Sequence, residues 1–212
     1  VARALAAEPP RPRPVELAVV TGEEAGLVGS RRLLEAMTAV GRTPSACVNL
    51  DTVGRLEGRR LLVLDAATAR EWRFLFMGVG HTTGAPLEVV SEPLDSSDQV
   101  ACIERGVPAV QLFTGPTADY HRPSDTVDRI DAAGMATVAE ATREAVAYLA
   151  ERPEPLTVTI GGAAAPATVH PGGGGERRAS LGTMPDFAFP GPGVRVEQVT
   201  PGSAAEAAGI LA

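Results

Sequence analysis

The sequence predicts a layered α/β fold, with helices laid over a largely parallel or mixed sheet. Three observations carry this prediction. Short apolar runs of strand length recur along the first two thirds of the chain, helical periodicities separate them, and acidic or imidazole clusters stand just after three of the predicted strands. Residues 1–7 read as the closing turns of a helix, and a Pro-rich turn follows over 8–14. An apolar strand is predicted over 15–20 and a helix over about 26–40, where Leu27, Leu33, Leu34 and Met37 recur at near-helical spacing and Gly41 ends the run. Further strands are predicted at 46–50, 61–64, 87–90 and 109–113. Helices are predicted at 71–80, 99–105 and, long and amphipathic, 131–151. This unit ends near Pro153. A short β-like segment at 156–160 then gives way to Gly/Ala/Pro-rich sequence that reads as a linker over 154–176, and pattern resumes over 177–212.

Composition narrows the function. The chain has 212 residues with 19 basic and 26 acidic side chains, a formal charge of −7, and 44% hydrophobic residues. That is a globular balance. All the basic residues are Arg, which together with 23 Gly and 18 Pro reflects biased genomic composition and carries no functional signal. An acidic surplus and 4% aromatic content, with Trp72 as the single Trp, exclude a nucleic-acid binder, which needs a basic face and stacking rings. No apolar run approaches the roughly 20 residues of a membrane span. Cys47 and Cys102 allow at most one bridge, so the chain is no disulfide scaffold, and the sequence leaves their pairing open. The first residues lack an N-cap and the last stop just after a short helix closed by Gly209, so the chain reads as cut at both ends.

Three clusters carry chemistry. In TGEEAGLVGS, Glu23 and Glu24 leave a predicted strand between glycines, close to a helix start where the macrodipole favours negative charge. Adjacent carboxylates suit a hydrolytic metal site, one holding the cation while its neighbour accepts a proton from water. A solvated acidic helix start gives the same pattern. In VNLDTVGR, Asp51 stands at the C-terminal end of a strand, where α/β sheets place their ligands and where turn aspartates are also common. The third cluster, 113–126, opens from a strand into a Gly/Pro loop bearing Tyr120, His121 and Asp125.

Taken in order, TGEEAGLVGS, VNLDTVGR, SSDQVACIERGVPAVQLFTG and YHRPSDTVDRI resemble the M28 family of zinc-dependent exopeptidases, chiefly aminopeptidases, over residues 1–151. The resemblance implies a three-layer α/β/α sandwich with a mixed sheet and two zinc ions sharing a bridging aspartate and a water. It implies Glu23 as general base, Glu24 and His121 as ligands of one zinc, Asp51 as a ligand of the other, and Tyr120 as a hydrogen-bond donor to the oxyanion. Asp98 falls in a segment lining the substrate pocket, with Gln99 where the family often has His. Asp125 is a candidate partner for orienting His121, or a turn residue. The family pattern also places a His and the bridging Asp upstream of the Glu-Glu pair. Residues 1–22 contain neither, so a partial site that binds zinc weakly and has little activity is expected for this chain.

Residues 177–212 resemble the beginning of a bacterial PDZ domain, through Leu181-Gly182 and a run of strand, Pro-Gly turn and Ala-rich helix. PDZ domains take peptide C-termini by β-augmentation, which so short a piece is not expected to do. Peptides or proteins are the implied substrates, and family habit implies export from a bacterial cell. Two alternatives stand beside the peptidase: a non-catalytic peptide-binding scaffold with a degenerate hydrolase domain, and a mono-zinc enzyme like glutaminyl cyclase.

Overall fold

Four strands organise the chain: β1 (Cys47–Leu50), β2 (Leu61–Leu64), β3 (Leu87–Val89) and β4 (Ala109–Phe113). They form one mixed sheet in the order β1-β4-β2-β3, with β1 parallel to β4, β2 parallel to β3, and β2 antiparallel to β4. A computed structural model describes residues 1–92, 97–161, 181–186 and 194–212. The predicted mixed α/β class is what it shows.

β4 is central and buried along its whole length, which is why AVQLF carries no charged residue. Its side chains alternate between the two sheet faces. Val110 and Leu112 join Leu61 and Val63 against Trp72 and Phe76 of α3 (Trp72–Thr83) and Val138, Ala141 and Ala145 of α5 (Ala132–Glu151). Ala109 belongs to a separate cluster with Leu34 of α2 (Val28–Ala39) and Ala101 and Cys102 of α4 (Gln99–Ile103). Trp72, fully buried, donates its indole N–H to Thr68 Oγ1 at 2.9 Å, so its one polar atom is satisfied inside the larger cluster.

The long helix starts where the sequence places it. Asp131 caps α5 by accepting from the Gly134 backbone N–H at 2.9 Å and also accepts from the Glu57 N–H at 2.8 Å. One carboxylate thereby joins the helix to the connection between β1 and β2. A Cβ at Gly134 would stand 2.6 Å from Leu56 Cβ, so only glycine permits this approach.

Some expectations need correction. Residues 15–20 are not a strand: they have no ladder partner among the described residues, and Val19 is 103% exposed. The apolar alternation there is a strand's, but a strand exists only when its backbone pairs. The segment predicted at 156–160 contributes only a single bridge, Ala69 to Val158. The helix predicted to begin the chain is α1 (Ala2–Ala6), and the one predicted over 99–105 stops at Ile103. Near the end, β5 (Thr183–Pro185) pairs antiparallel with β6 (Val196–Val199), and Ser203 caps α6 (Ala204–Ala207). Most of the predicted linker, residues 162–176, lies outside the described residues.

Cys47 and Cys102 are bonded, closing a loop with a sequence separation of 55. The bridge ties the start of β1 to α4. A loop of this length is worth about 2–4 kcal/mol through the entropy it removes from the unfolded chain. Replacing both cysteines by Ser is expected to lower stability by about that amount in urea unfolding. An unchanged midpoint contradicts the bridge.

Candidate active site

The parallel pair β1 and β4 sends two loops out of the same sheet edge, the edge at which α/β sheets bind ligands. Asp51 follows β1, and the loop bearing Tyr120 and His121 follows β4. The loops are tied to each other: Thr114 N–H and Oγ1 both donate to Thr52 O, at 3.1 and 2.6 Å. Arg59 donates to Pro116 O at 3.1 Å, and Arg55 reaches Asp119 at 3.6 Å and Asp125 at 3.3 Å. Asp125 therefore pairs with Arg55, whereas His121 Nε2 stands 3.3 Å from Glu24 Oε1. The His121 ring stacks on Tyr120, centroids 4.0 Å apart, and its φ of 57° lies in the left-handed region.

Glu23 and Glu24 occupy a tight turn ahead of α2. Gly26 and Leu27 N–H groups both donate to Glu23 O at 2.9 Å, Val28 N–H to Gly22 O at 3.0 Å, and Gly29 N–H to Thr21 O at 2.8 Å. A Cβ at Gly29 would fall 2.4 Å from Thr21 O, so glycine lets the helix start close on the turn. Glu24 is exposed and Glu23 half-buried.

The third contributor is the start of α4. Ser97 Oγ donates to Asp51 Oδ2 at 2.8 Å, and Thr52 Oγ1 donates to Asp51 Oδ1 at 3.3 Å. Asp98 Oδ1 is buried with no hydrogen-bond partner among the described residues. Gln99, 1% exposed, donates to Asp65 Oδ2 at 2.9 Å and to Gln111 Oε1 at 3.3 Å, and accepts from Asn49 Nδ2 at 3.0 Å. It is thus part of a buried amide and carboxylate network. Burial pushes the Glu23 carboxyl above its ordinary value, and the charges of Glu24, Asp51 and Asp98 push it the same way. A hydrogen bond from the Ser97 backbone N–H offsets part of the rise.

The structure thus gathers Glu23, Glu24, Asp51, Asp98 and His121 around one edge. The sequence assigns no role to Ser97, which bonds Asp51, to Asn49, which bonds Ser97, or to Arg55 and Arg59, which fasten the loop that carries His121. None belongs to a residue class that signals chemistry by spacing; Asn49, Arg55 and Ser97 fall inside the quoted VNLDTVGR and SSDQVACIERGVPAVQLFTG segments, and Arg59 falls outside them.

The donors suit zinc in kind, being carboxylate oxygens and one imidazole. Two ligands each about 2.0–2.1 Å from a tetrahedral ion lie about 3.3 Å from each other, which is the Glu24–His121 separation of 3.3 Å. In number they fall short: among the described residues, no group of three or more His, Cys, Asp or Glu side chains is gathered to hold one ion.

Residues 1–146 match the model of Peptidase family M28, and the chain belongs to that family. Its fold is similar to those of the LapA aminopeptidase of Legionella pneumophila (22% identity, TM-score 0.56, 64% of this chain and 39% of that one), an aminopeptidase from Aneurinibacillus sp. strain AM-1 (27%, 0.52, 66% and 34%) and BSAP, a zinc aminopeptidase from Bacillus subtilis (22%, 0.53, 67% and 38%). The chain therefore spans only 34–39% of the length of these proteins. No curated protein sequence matches it significantly.

The raised Glu23 pKa has a consequence for stability without metal. Its folded value lies above the ordinary 4.5, so ionised Glu23 costs stability at pH 7, and the cost disappears as pH falls through the folded value to below 4.5. In chelator, Glu23→Gln is expected to be more stable than the parent chain at pH 7, with the gain gone below pH 4.5. Equal stability at both pH values contradicts this environment for Glu23.

Proposed function

We propose that this chain carries part of the active site of a zinc-dependent exopeptidase, an aminopeptidase that removes N-terminal residues from peptides. The observation that carries the reading is the Glu24–His121 pair, 3.3 Å apart, next to the half-buried Glu23. Membership of the M28 family and the likeness to three aminopeptidases support it.

In this reading Glu24 and His121 would hold one zinc ion and Asp51 would contribute to a second. Zinc held there would supply Lewis acidity to the scissile carbonyl and to water. Glu23 takes the proton of the attacking water and returns it to the leaving amine, a task that suits a carboxyl raised towards working pH. Tyr120 donates its hydroxyl to the oxygen that gains charge as the carbonyl carbon becomes tetrahedral. Asp98 lines the pocket and contributes negative charge near the peptide's free amino group. With neither His nor Asp in residues 1–22, the chain supplies a partial donor set, and weak zinc binding and little activity are proposed for it alone.

A three-layer α/β/α peptidase-like unit occupies 1–153, a linker 154–176, and 177–212 belong to a PDZ-like module, a reading supported by the β5–β6 hairpin followed by α6. The Cys47–Cys102 bridge supports export, because disulfides persist in oxidising compartments.

The complete protein is expected to hydrolyse aminoacyl-anilides, to lose that activity to a chelator and to regain it with zinc. Glu23→Gln is expected to lower kcat by about 10²–10⁴-fold while zinc stays bound. Retained turnover in Glu23→Gln removes Glu23 as the base. Two tightly held zinc ions in the dialysed 212-residue chain contradict the partial site.

A further inference from the structure

α3 presents to solvent a face that its own fold does not account for. Its buried side, Trp72, Leu75, Phe76 and Val79, joins the main cluster. Its outer side is Arg73, Phe74, Met77, Gly78, His81 and Thr82, all exposed, with Phe74 and Met77 each at 65%. In a chain with 26 acidic residues this face has no carboxylate, whereas α2 covers its outer side with the Arg32–Glu35 ion pair.

Two residues on this face oppose the helix they belong to. Glycine inside a helix weakens it. Gly80 has a reason within the chain, since a Cβ there would stand 3.4 Å from Ala85 O, but a Cβ at Gly78 would meet nothing within 4 Å. The notch at Gly78 therefore opens outward, between two bare apolar side chains. Arg73 stands in the first turn of α3, where the macrodipole disfavours a cation.

We propose that α3 is the interface of a homodimer, with two copies of the helix antiparallel across a two-fold axis that passes between Met77 and Gly78. Such an interface must be complementary to itself, and this face is. Phe74 and His81 lie at equal distances along the helix on either side of that midpoint, so each Phe74 ring meets His81 of the other copy. The two Gly78 meet and let the backbones approach, and the two Met77 fill the opposite side. Charge agrees with shape. Each Arg73 comes to the C-terminal turn of the other α3, the negative end of its macrodipole. The two guanidinium groups are about 13 Å apart along the axes, beyond the roughly 8 Å over which salt leaves charges unscreened. Two chains of net charge −7 repel, and a face without carboxylates is where they meet at least cost.

Sedimentation equilibrium of the full chain tests this, with thermal melting of each variant in dilute solution. The parent is expected to be a reversible dimer, and a weak one because one helix on each side makes a small interface. Phe74→Glu and Gly78→Gln are each expected to weaken it about tenfold or more while melting no lower than the parent. Arg73→Glu is expected to weaken it about threefold and yet to favour the isolated helix, because a carboxylate suits the first turn. Cys47 and Cys102 are bonded to each other, so Met77→Cys adds a free thiol, which is expected to link two copies on mild oxidation, whereas Arg32→Cys on α2 is not. A parent chain that stays monomeric overturns the proposal. So does a dimer that Phe74→Glu and Gly78→Gln leave unchanged, or one lost only in step with a lowered melting temperature. Failure of Met77→Cys to link the copies overturns the two-fold arrangement.

Discussion

The in-register parallel pairing of β1 with β4 is the constraint on which the site depends. Cys47 to Leu50 lie opposite Ala109 to Leu112, so both strands end at the same edge and release their loops side by side. A slip of one residue would turn Val110 and Leu112 out of the main cluster and move Asp51 away from the His121 loop together. Apolar burial therefore enforces the register, and the register delivers the chemistry. The bridge from Cys47 to Cys102 reinforces the same junction by holding α4, and with it Ser97 and Asp98, against the first strand.

What the junction holds together is unfavourable in itself. Glu23, Glu24, Asp51 and Asp98 crowd like charges into a half-buried space, and the raised Glu23 pKa is the measure of that. The cost is borne by the scaffold: buried strands, a capped α5 and the Arg55 and Arg59 contacts that fasten the second loop. In the proposed reading, a cation at the acidic edge would relieve the repulsion, and the His121 imidazole, 3.3 Å from Glu24, would give it a nitrogen ligand. On that reading, the scaffold exchanges some stability for the proposed site.

The strands were legible because each is a short apolar run, and α5 because its periodicity and its capping Asp131 agree. Residues 15–20 were misread for a physical reason: Val15, Leu17 and Val19 alternate as in a strand, but pairing is a long-range property that local pattern does not contain. The residues proposed to bear chemistry stand in legible motifs, whereas their supports do not. Nothing in a serine announces a φ of 74°, and nothing in the spacing of Asp125 and His121 reveals that Arg55 takes Asp125 and Glu24 takes His121. The pairing of Cys47 with Cys102 was equally unreadable, because two cysteines state only that one bridge is allowed.

The central claim is that Glu24 and His121 form one end of a metal site, and calorimetric titration of Zn²⁺ into the chain tests it most directly. The parent chain is expected to bind zinc with weak but measurable heat, and His121→Ala and Glu24→Gln each to abolish the same binding event. Unchanged zinc binding in both variants contradicts the account.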